Sequence, residues 1–362
     1  MVYKDTHKTK DGRCYYFQVM INRKLYKSKR YLTKKEAQDE EAKYRLNHND
    51  YNRIKFKTVA ECFFDNIKEY RKLSTYQTYI EVYNKHICPF FEDYDLFSIN
   101  ILELKNFREK CLKINLSTRY LNKINNVLNL ILDYASVNYG YTNVNRSLGN
   151  YQEKKDKVIK EKIRYMTYEE YLKFISVIDD IEYKTFFMFL YLTGVRLGEA
   201  LALTFNDIKD DTIIINKTLY TKIKGTYTIT STKNNLNRVV KMDKSLINQM
   251  NEYIKYMQSF TDYKDSWFLF GGSRYLAPTT INRNKHKYFE LAGVKEITIH
   301  EFRHSHVSLL INQYLKSGKN DATTFFLLCS GRLGHSVSVM QRTYLHMFPN
   351  TQDSIVDILN NL

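Results

Sequence analysis

A chain of 362 residues is longer than one ordinary core supports and suits an assembly of two or three modules. Its 56 Lys plus Arg against 39 Asp plus Glu leave a formal charge of +17, more than solubility requires, and a polyanion partner is expected because each neutralised phosphate releases counterions. Five cysteines, odd in number and never in a CxxC pair, argue against a disulfide framework or a cysteine zinc site, and the longest apolar run, Phe186 to Leu192, falls far short of the ~18 residues of a membrane span.

A soluble, cytoplasmic protein with no membrane partner is therefore expected. The 31 Tyr, the many Lys, Asn and Ile and the 3 Pro also resemble the product of AT-rich codons, which supplies some of the Lys but does not select Arg.

Residues 14 to 21, CYYFQVMI, are aromatic and β-branched, and Asn22, Arg23 and Lys24 make a polar turn before LYKSKRYL, which predicts a β-hairpin. Thr33-Lys34-Lys35-Glu36 is a T-x-x-E capping box that opens a helix reaching the polar stretch Asn47 to Asn52. A hairpin-plus-helix module over residues 1–52 results, with Arg23, Lys24, Lys27, Lys29 and Arg30 around the turn and second strand. Two readings of these bases stand side by side: contacts to DNA phosphates or a groove, and an edge strand guarded by charge.

From Val59 the period becomes helical, with Val59, Phe63, Ile67 and Tyr70 on one face. Ser74 is the expected cap of a second helix that Pro89 ends. Ser98 precedes the stripe Ile101, Leu104, Phe107 and Cys111, and Ser117 precedes Ile124, Val127, Leu128, Ile131 and Ala135. Four helices in a domain over 53–150 are predicted, followed by a polar, charged linker at 151–163.

A second capping box, Thr167 to Glu170, opens the last section, 164–362. It is helical apart from DTIIINKTLY (211 to 220), TYTITST (226 to 232) and NRVVKM (237 to 242), which are predicted to form one three-stranded antiparallel sheet. The fold class expected is mainly α with small β-sheets, spread over several domains.

Four segments of this section carry chemistry: TGVRLGEAL around Arg196, STKNNLNRVV around Lys233, HEFRHSH from His300, and LGHSVSVMQRTY from Leu333 to Tyr344. Together they resemble the signature of the tyrosine recombinases, the family of phage and transposon integrases and chromosome-dimer resolvases. The module order is similar too, since in that family an N-terminal arm-binding domain and a helical core-binding domain commonly precede a mixed α+β catalytic domain.

The resemblance implies a site-specific recombinase that cuts and rejoins DNA strands through a 3′-phosphotyrosyl intermediate. Tyr344 is then the nucleophile, Arg196, Lys233, His300, Arg303 and His335 serve it, and Glu199, three residues after Arg196, supports the site. The residue types suit that chemistry. Two guanidiniums match the non-bridging oxygens of a phosphoryl transfer state, each worth about 3 kcal/mol of barrier. Arg196 also opens an apolar helix whose first free amides attract phosphate. His300 and Arg303, three apart, share a helix face on which His304 and His306 are expected to point elsewhere. Gly334 permits a close approach before His335, and a phenol of pKa about 10 needs a cationic or basic pocket to react. A Lys on a mobile β-turn, Lys233 with Lys241 as the weaker substitute, can protonate the departing 5′ oxygen.

No metal or cofactor is needed, because the paired guanidiniums replace the cation. The rival reading, a metal held by His300, His304, His306, His335 and His346, lacks a carboxylate in an HExxH arrangement. The partners implied are double-stranded DNA with core and arm sites and a homotetramer on synapsed DNA, with room for an excisionase. A place on the nucleoid follows. Ile355, Ile358, Leu359 and Leu362 form a C-terminal apolar stripe that packs on its own domain or on a neighbour. Integration and excision of a mobile element is favoured, because the hairpin module suits a second class of site. The alternatives are a chromosome-dimer resolvase and a DNA-binding regulator with the same fold and no strand exchange.

Overall fold

The computed structural model describes residues 2–7, 9–21, 24–48, 54–152, 163–221, 226–232 and 237–348. The chain divides into two compact units, Met1–Ile159 and Lys160–Leu362, each mostly helical with small sheets. Among the described residues no helix is long and apolar enough to cross a membrane.

The first unit begins with β1 (Val2–Lys4), β2 (Tyr15–Ile21) and β3 (Lys24–Lys27), antiparallel in that order, and α1 (Lys34–His48). The hairpin is as expected, but β1 adds a third strand, with Val2 opposite Phe17. Three residues, VYK, are too short to show an alternation, so only the pairing reveals the strand. Phe17, Val19, Tyr31 and Ala37 form its core, and Tyr44 of α1 stacks on Tyr26 with ring centres 4.1 Å apart. The Thr33 hydroxyl accepts from the Glu36 amide at 3.1 Å, as a capping box requires.

The helical part of this unit is α2 (Phe56–Lys68), α3 (Leu73–Val82), the short α4 (Cys88–Phe91), α5 (Ile101–Leu112) and α6 (Thr118–Tyr139) around one apolar core. Ser117 caps α6, but two other expected caps move: Asn100, not Ser98, caps α5, and Lys72 stands at the cap position of α3 without a side-chain capping bond, Ser74 lying inside the helix. Pro89 does not end a helix. It sits in α4 directly after a π-helical turn at Tyr83–Ile87, and the chain stays helical through it.

The second unit opens with α7 (Tyr168–Ser176), whose Thr167–Glu170 box is complete in both directions. Then come α8 (Ile181–Thr193), α9 (Leu197–Ala202), β4 (Ile208–Lys209), β5 (Thr212–Ile215), β6 (Lys217–Tyr220), β7 (Thr228–Ser231) and β8 (Arg238–Lys241). The expected single sheet is in fact two: β4-β5-β8, and β6-β7. Ile213, Ile215 and Val240 bury one side of the first, while past Asn216 the chain leaves to pack β6 on α9. Gly198 makes that packing possible, since a Cβ there would stand 2.5 Å from Thr218 Oγ1 and 3.0 Å from the Leu219 carbonyl. Helices α10 (Lys244–Gln258), α11 (Pro278–Ala292), α12 (Ile299–Lys316), α13 (Ala322–Leu333) and α14 (Val337–Tyr344) complete the unit. Phe174, Phe187, Phe289 and Phe302 fill the core beneath α12, and Val307, Phe326, Leu333, Met340 and Tyr344 form a second cluster where α12, α13 and α14 meet.

Candidate active site

Three short stretches converge: the turn after α8, the first two turns of α12, and the turn from α13 to α14. Gly194 caps α8 with φ of +66°, and a Cβ there would lie 2.6 Å from His306 Cδ2 and 2.8 Å from Leu333 Cδ2, so glycine lets the side chains of α12 and α13 close over this turn. Gly334 ends α13 in the same left-handed conformation, φ +63°, which turns the chain sharply toward His335.

Arg303 is 2% exposed and spans the convergence, donating from Nη1 to the Gly194 carbonyl at 2.7 Å and from Nη2 to the Leu333 carbonyl at 2.6 Å. Its Nε is buried and finds no acceptor among the described residues, nor does any described carboxylate lie within ion-pair distance. Burial, and then the neighbouring Arg196, pull its pKa down to about 9. A buried cation in this state gains from an arriving anion.

Arg196 stands at the start of α9, donating to Glu199 Oε1 at 2.8 Å and to the Gly334 carbonyl at 3.2 Å. That helix has only six residues, so its dipole adds less than expected and the guanidinium carries the charge. Glu199 is 1% exposed and is gripped from the other side by Arg238, whose Nη2 lies 2.6 Å from Oε2 and whose Nε donates to the Arg332 carbonyl at 2.8 Å. Burial raises the Glu199 pKa, but the Arg238 and then the Arg196 contacts outweigh it and leave the carboxyl below its ordinary range. Glu199 thus orients two arginines, of which sequence reading had singled out one. The signal for Arg238 was its place five residues after Lys233.

Tyr344 ends α14 and is 1% exposed, with burial pushing its phenol up to about 12 against the pull of Arg303. Its hydroxyl lies 2.5 Å from His304 Nδ1. This corrects the expectation that His304 points away: one helical turn places it beside His300, at 5.1 Å between ring centres, on the side that α14 crosses. Burial, and then His300, push His304 down to about 4. His306 does turn inward, bonded between the Tyr191 carbonyl and Arg332 Nε. His300 is exposed at the start of α12, and His335 is half-buried at the α13–α14 turn. Lys233 lies outside the described residues. Its weaker substitute, Lys241, is exposed and ion-paired with Asp211 at 2.9 Å.

The bases of the N-terminal module are dispersed. Arg30 is ion-paired with Asp5, Lys27 stands over the Tyr16 ring at 4.3 Å, and Lys29 over Tyr31 at 5.7 Å. Arg23 and the Lys24 side chain lie outside what is described, as do Ile355, Ile358, Leu359 and Leu362.

Two family models match the chain: the phage integrase family over residues 164–323, and the SAM-like N-terminal domain of phage integrases over 55–112. The chain belongs to the phage integrase family of tyrosine recombinases. As such it is a site-specific DNA recombinase, an enzyme that breaks and rejoins DNA strands. The recombinase is 29% identical over 349 residues to the ICEBs1 integrase of Bacillus subtilis strain 168, covering 91% of this chain and 90% of the relative. It is 25% identical over 404 residues to a XerC-like tyrosine recombinase of Caldanaerobacter subterraneus subsp. tengcongensis, covering 99% of both. Among solved structures the Tn1549 transposon integrase bound to transposon right end DNA matches at TM-score 0.61 and 17% identity, over 84% of this recombinase and 99% of that chain. A lambda integrase dimer on a core site matches at 0.58 and 14% identity, over 93% of both chains. These two likenesses establish a shared fold.

Proposed function

We propose that this recombinase integrates and excises a mobile element by attacking duplex DNA with Tyr344, Arg196 and Arg303 holding the scissile phosphate, His300 and His335 donating to its oxygens, and Lys233 protonating the departing 5′ oxygen. The observation that carries this reading is Arg303: a guanidinium buried without a carboxylate, one residue before the histidine that touches the Tyr344 hydroxyl. An isolated buried charge costs several kcal/mol, about what a bound phosphate would return. As the Tyr344 oxygen bonds phosphorus, the phenolic proton passes to water, the bond from phosphorus to the 5′ oxygen breaks, and that oxygen takes a proton from Lys233. Rejoining runs the same steps in reverse with a new 5′ hydroxyl. Donors fixed before the reaction stabilise the charge that develops on the phosphate, and Glu199 fixes Arg196 by holding Nη1 and the backbone N–H together.

Residues 1–52 are read as an arm-binding module, 53–150 as the core-binding domain, 151–163 as a linker and 164–362 as the catalytic domain. Lys27 and Lys29, with Arg23 and Lys24, are then the arm-site contacts, while Arg30 is already committed to Asp5. The B. subtilis relative is an integrase by name and the Tn1549 protein a transposon integrase, which supports a mobile element. A lambda integrase tetramer bound to a Holliday junction supports four copies at synapsis, and an excisionase would set direction. Such a recombinase works on the nucleoid, in the cytoplasm.

The test uses duplexes from the DNA flanking the gene, incubated in EDTA with the wild-type chain and with Tyr344→Phe and resolved on a denaturing gel. A covalent protein–DNA band with the wild type alone is expected. Bound duplexes with no band would favour a regulator without strand exchange.

A further inference from the structure

His304 follows Arg303 on α12, and its Nδ1 reaches the Tyr344 hydroxyl across 40 residues of sequence. Among the described residues no other group bonds that oxygen. A bond this short fixes where the phenol points, and its polarity fixes which face of the oxygen is open. A hydroxyl has one proton and two lone pairs. If Nδ1 donated, it would occupy a lone pair that the nucleophile needs; if Nδ1 accepts, both lone pairs stay available for phosphorus.

We propose that His304 is a positioning residue for the nucleophile, its neutral imidazole accepting the Tyr344 hydroxyl proton at Nδ1 and so turning the oxygen's lone pairs toward the phosphate. This rests on the reading of Tyr344 as the nucleophile. Burial supports it from both sides, since it keeps the imidazole neutral and the phenol protonated, which is the pairing an O–H···N bond requires. It also separates positioning from base catalysis: an imidazole pushed down to about 4 is far too weak to strip a phenol pushed up to about 12 in the resting site. Burial first, then His300 and Arg303, oppose a second proton on His304 and outweigh Glu301, which favours one, so the ring stays neutral.

Three variants of the full chain test this: His304→Leu keeps bulk and removes the acceptor, His304→Asn puts an amide oxygen close to the place of Nδ1, and Tyr344→Phe removes the nucleophile. Single-turnover formation of the covalent complex is measured at saturating DNA, beside the DNA Kd and thermal stability. His304→Leu is expected to slow covalent attack roughly 10- to 100-fold, as misplacement of a reacting group by about 1 Å does, with Kd unchanged. His304→Asn is expected to recover most of that loss, which a purely structural role of the ring would not produce. On DNA with a 5′-bridging phosphorothiolate, whose sulfur leaves without a proton, the His304→Leu defect should persist, because it lies with the nucleophile. Full speed in His304→Leu, no recovery in His304→Asn, or relief by the phosphorothiolate would each overturn the proposal while leaving Tyr344 as nucleophile. Covalent product surviving in Tyr344→Phe would overturn the reading of Tyr344 and the proposal with it.

Discussion

His306 shows how a single buried side chain ties the stability of the site to pH. Its Nδ1 lies 2.9 Å from the Tyr191 carbonyl and must donate there, so Nε2 accepts from Arg332 Nε at 3.2 Å, and the ring is neutral. A second proton would face Arg332, and burial, then that arginine, push the pKa down to about 3. A histidine depressed in the folded state binds its proton in the unfolded chain first. Stability is therefore complete above about pH 6.5 and falls as pH drops from there toward 3, by about 1.4 kcal/mol per unit. Urea unfolding at pH 6.5 and pH 5 should show a drop smaller in His306→Gln than in the wild type by about 2 kcal/mol. Equal drops would mean that His306 is not held neutral. At this scale the motif residues Arg196, Arg303 and Tyr344 were legible in the sequence because each has a recognisable register. His304 was not, since its role depends on where α14 crosses α12, a contact between residues 40 apart that no local period encodes.

Between elements the decisive joint is Glu199, through which α9 is tied to β8. Arg196 and Arg238 grip its two oxygens, and Arg238 passes the tie on to α13 through the Arg332 carbonyl. Removing Arg238 leaves the buried carboxylate with one charged partner in place of two, Arg196 keeping Oε1 through Nη1 and Oε2 through its backbone N–H. Arg238→Ala is expected to cost about 3 kcal/mol or more in urea unfolding, and to slow covalent attack because Arg196 loses its fixed brace. Loss of stability with cleavage intact would show that the clamp holds the fold without orienting Arg196. Helix starts were legible at Thr33, Ser117 and Thr167, where a hydroxyl caps its own helix, but not at α5, where Asn100 caps in place of Ser98. The split of one expected sheet into two was not. Alternation reads alike through Asn216, and the break comes from the packing of β6 against Gly198 on α9.

Over the whole molecule, a charge of +17 is laid on a sequence whose period changes from strand to helix and back, and that change made the order of strand and helix segments readable. What four copies do to one another on DNA is not written in one chain's periodicity, because apolar stripes bind a neighbour or their own domain equally well. The central claim remains that one of 31 tyrosines becomes the covalent link to DNA. The most direct measurement traps the complex of the full wild-type chain on a nicked duplex in EDTA, digests protein and DNA, and locates the nucleotide adduct by mass spectrometry. The account predicts the adduct on Tyr344, in the peptide that follows Arg342; an adduct on any other tyrosine, or a trapped complex with none, would contradict it.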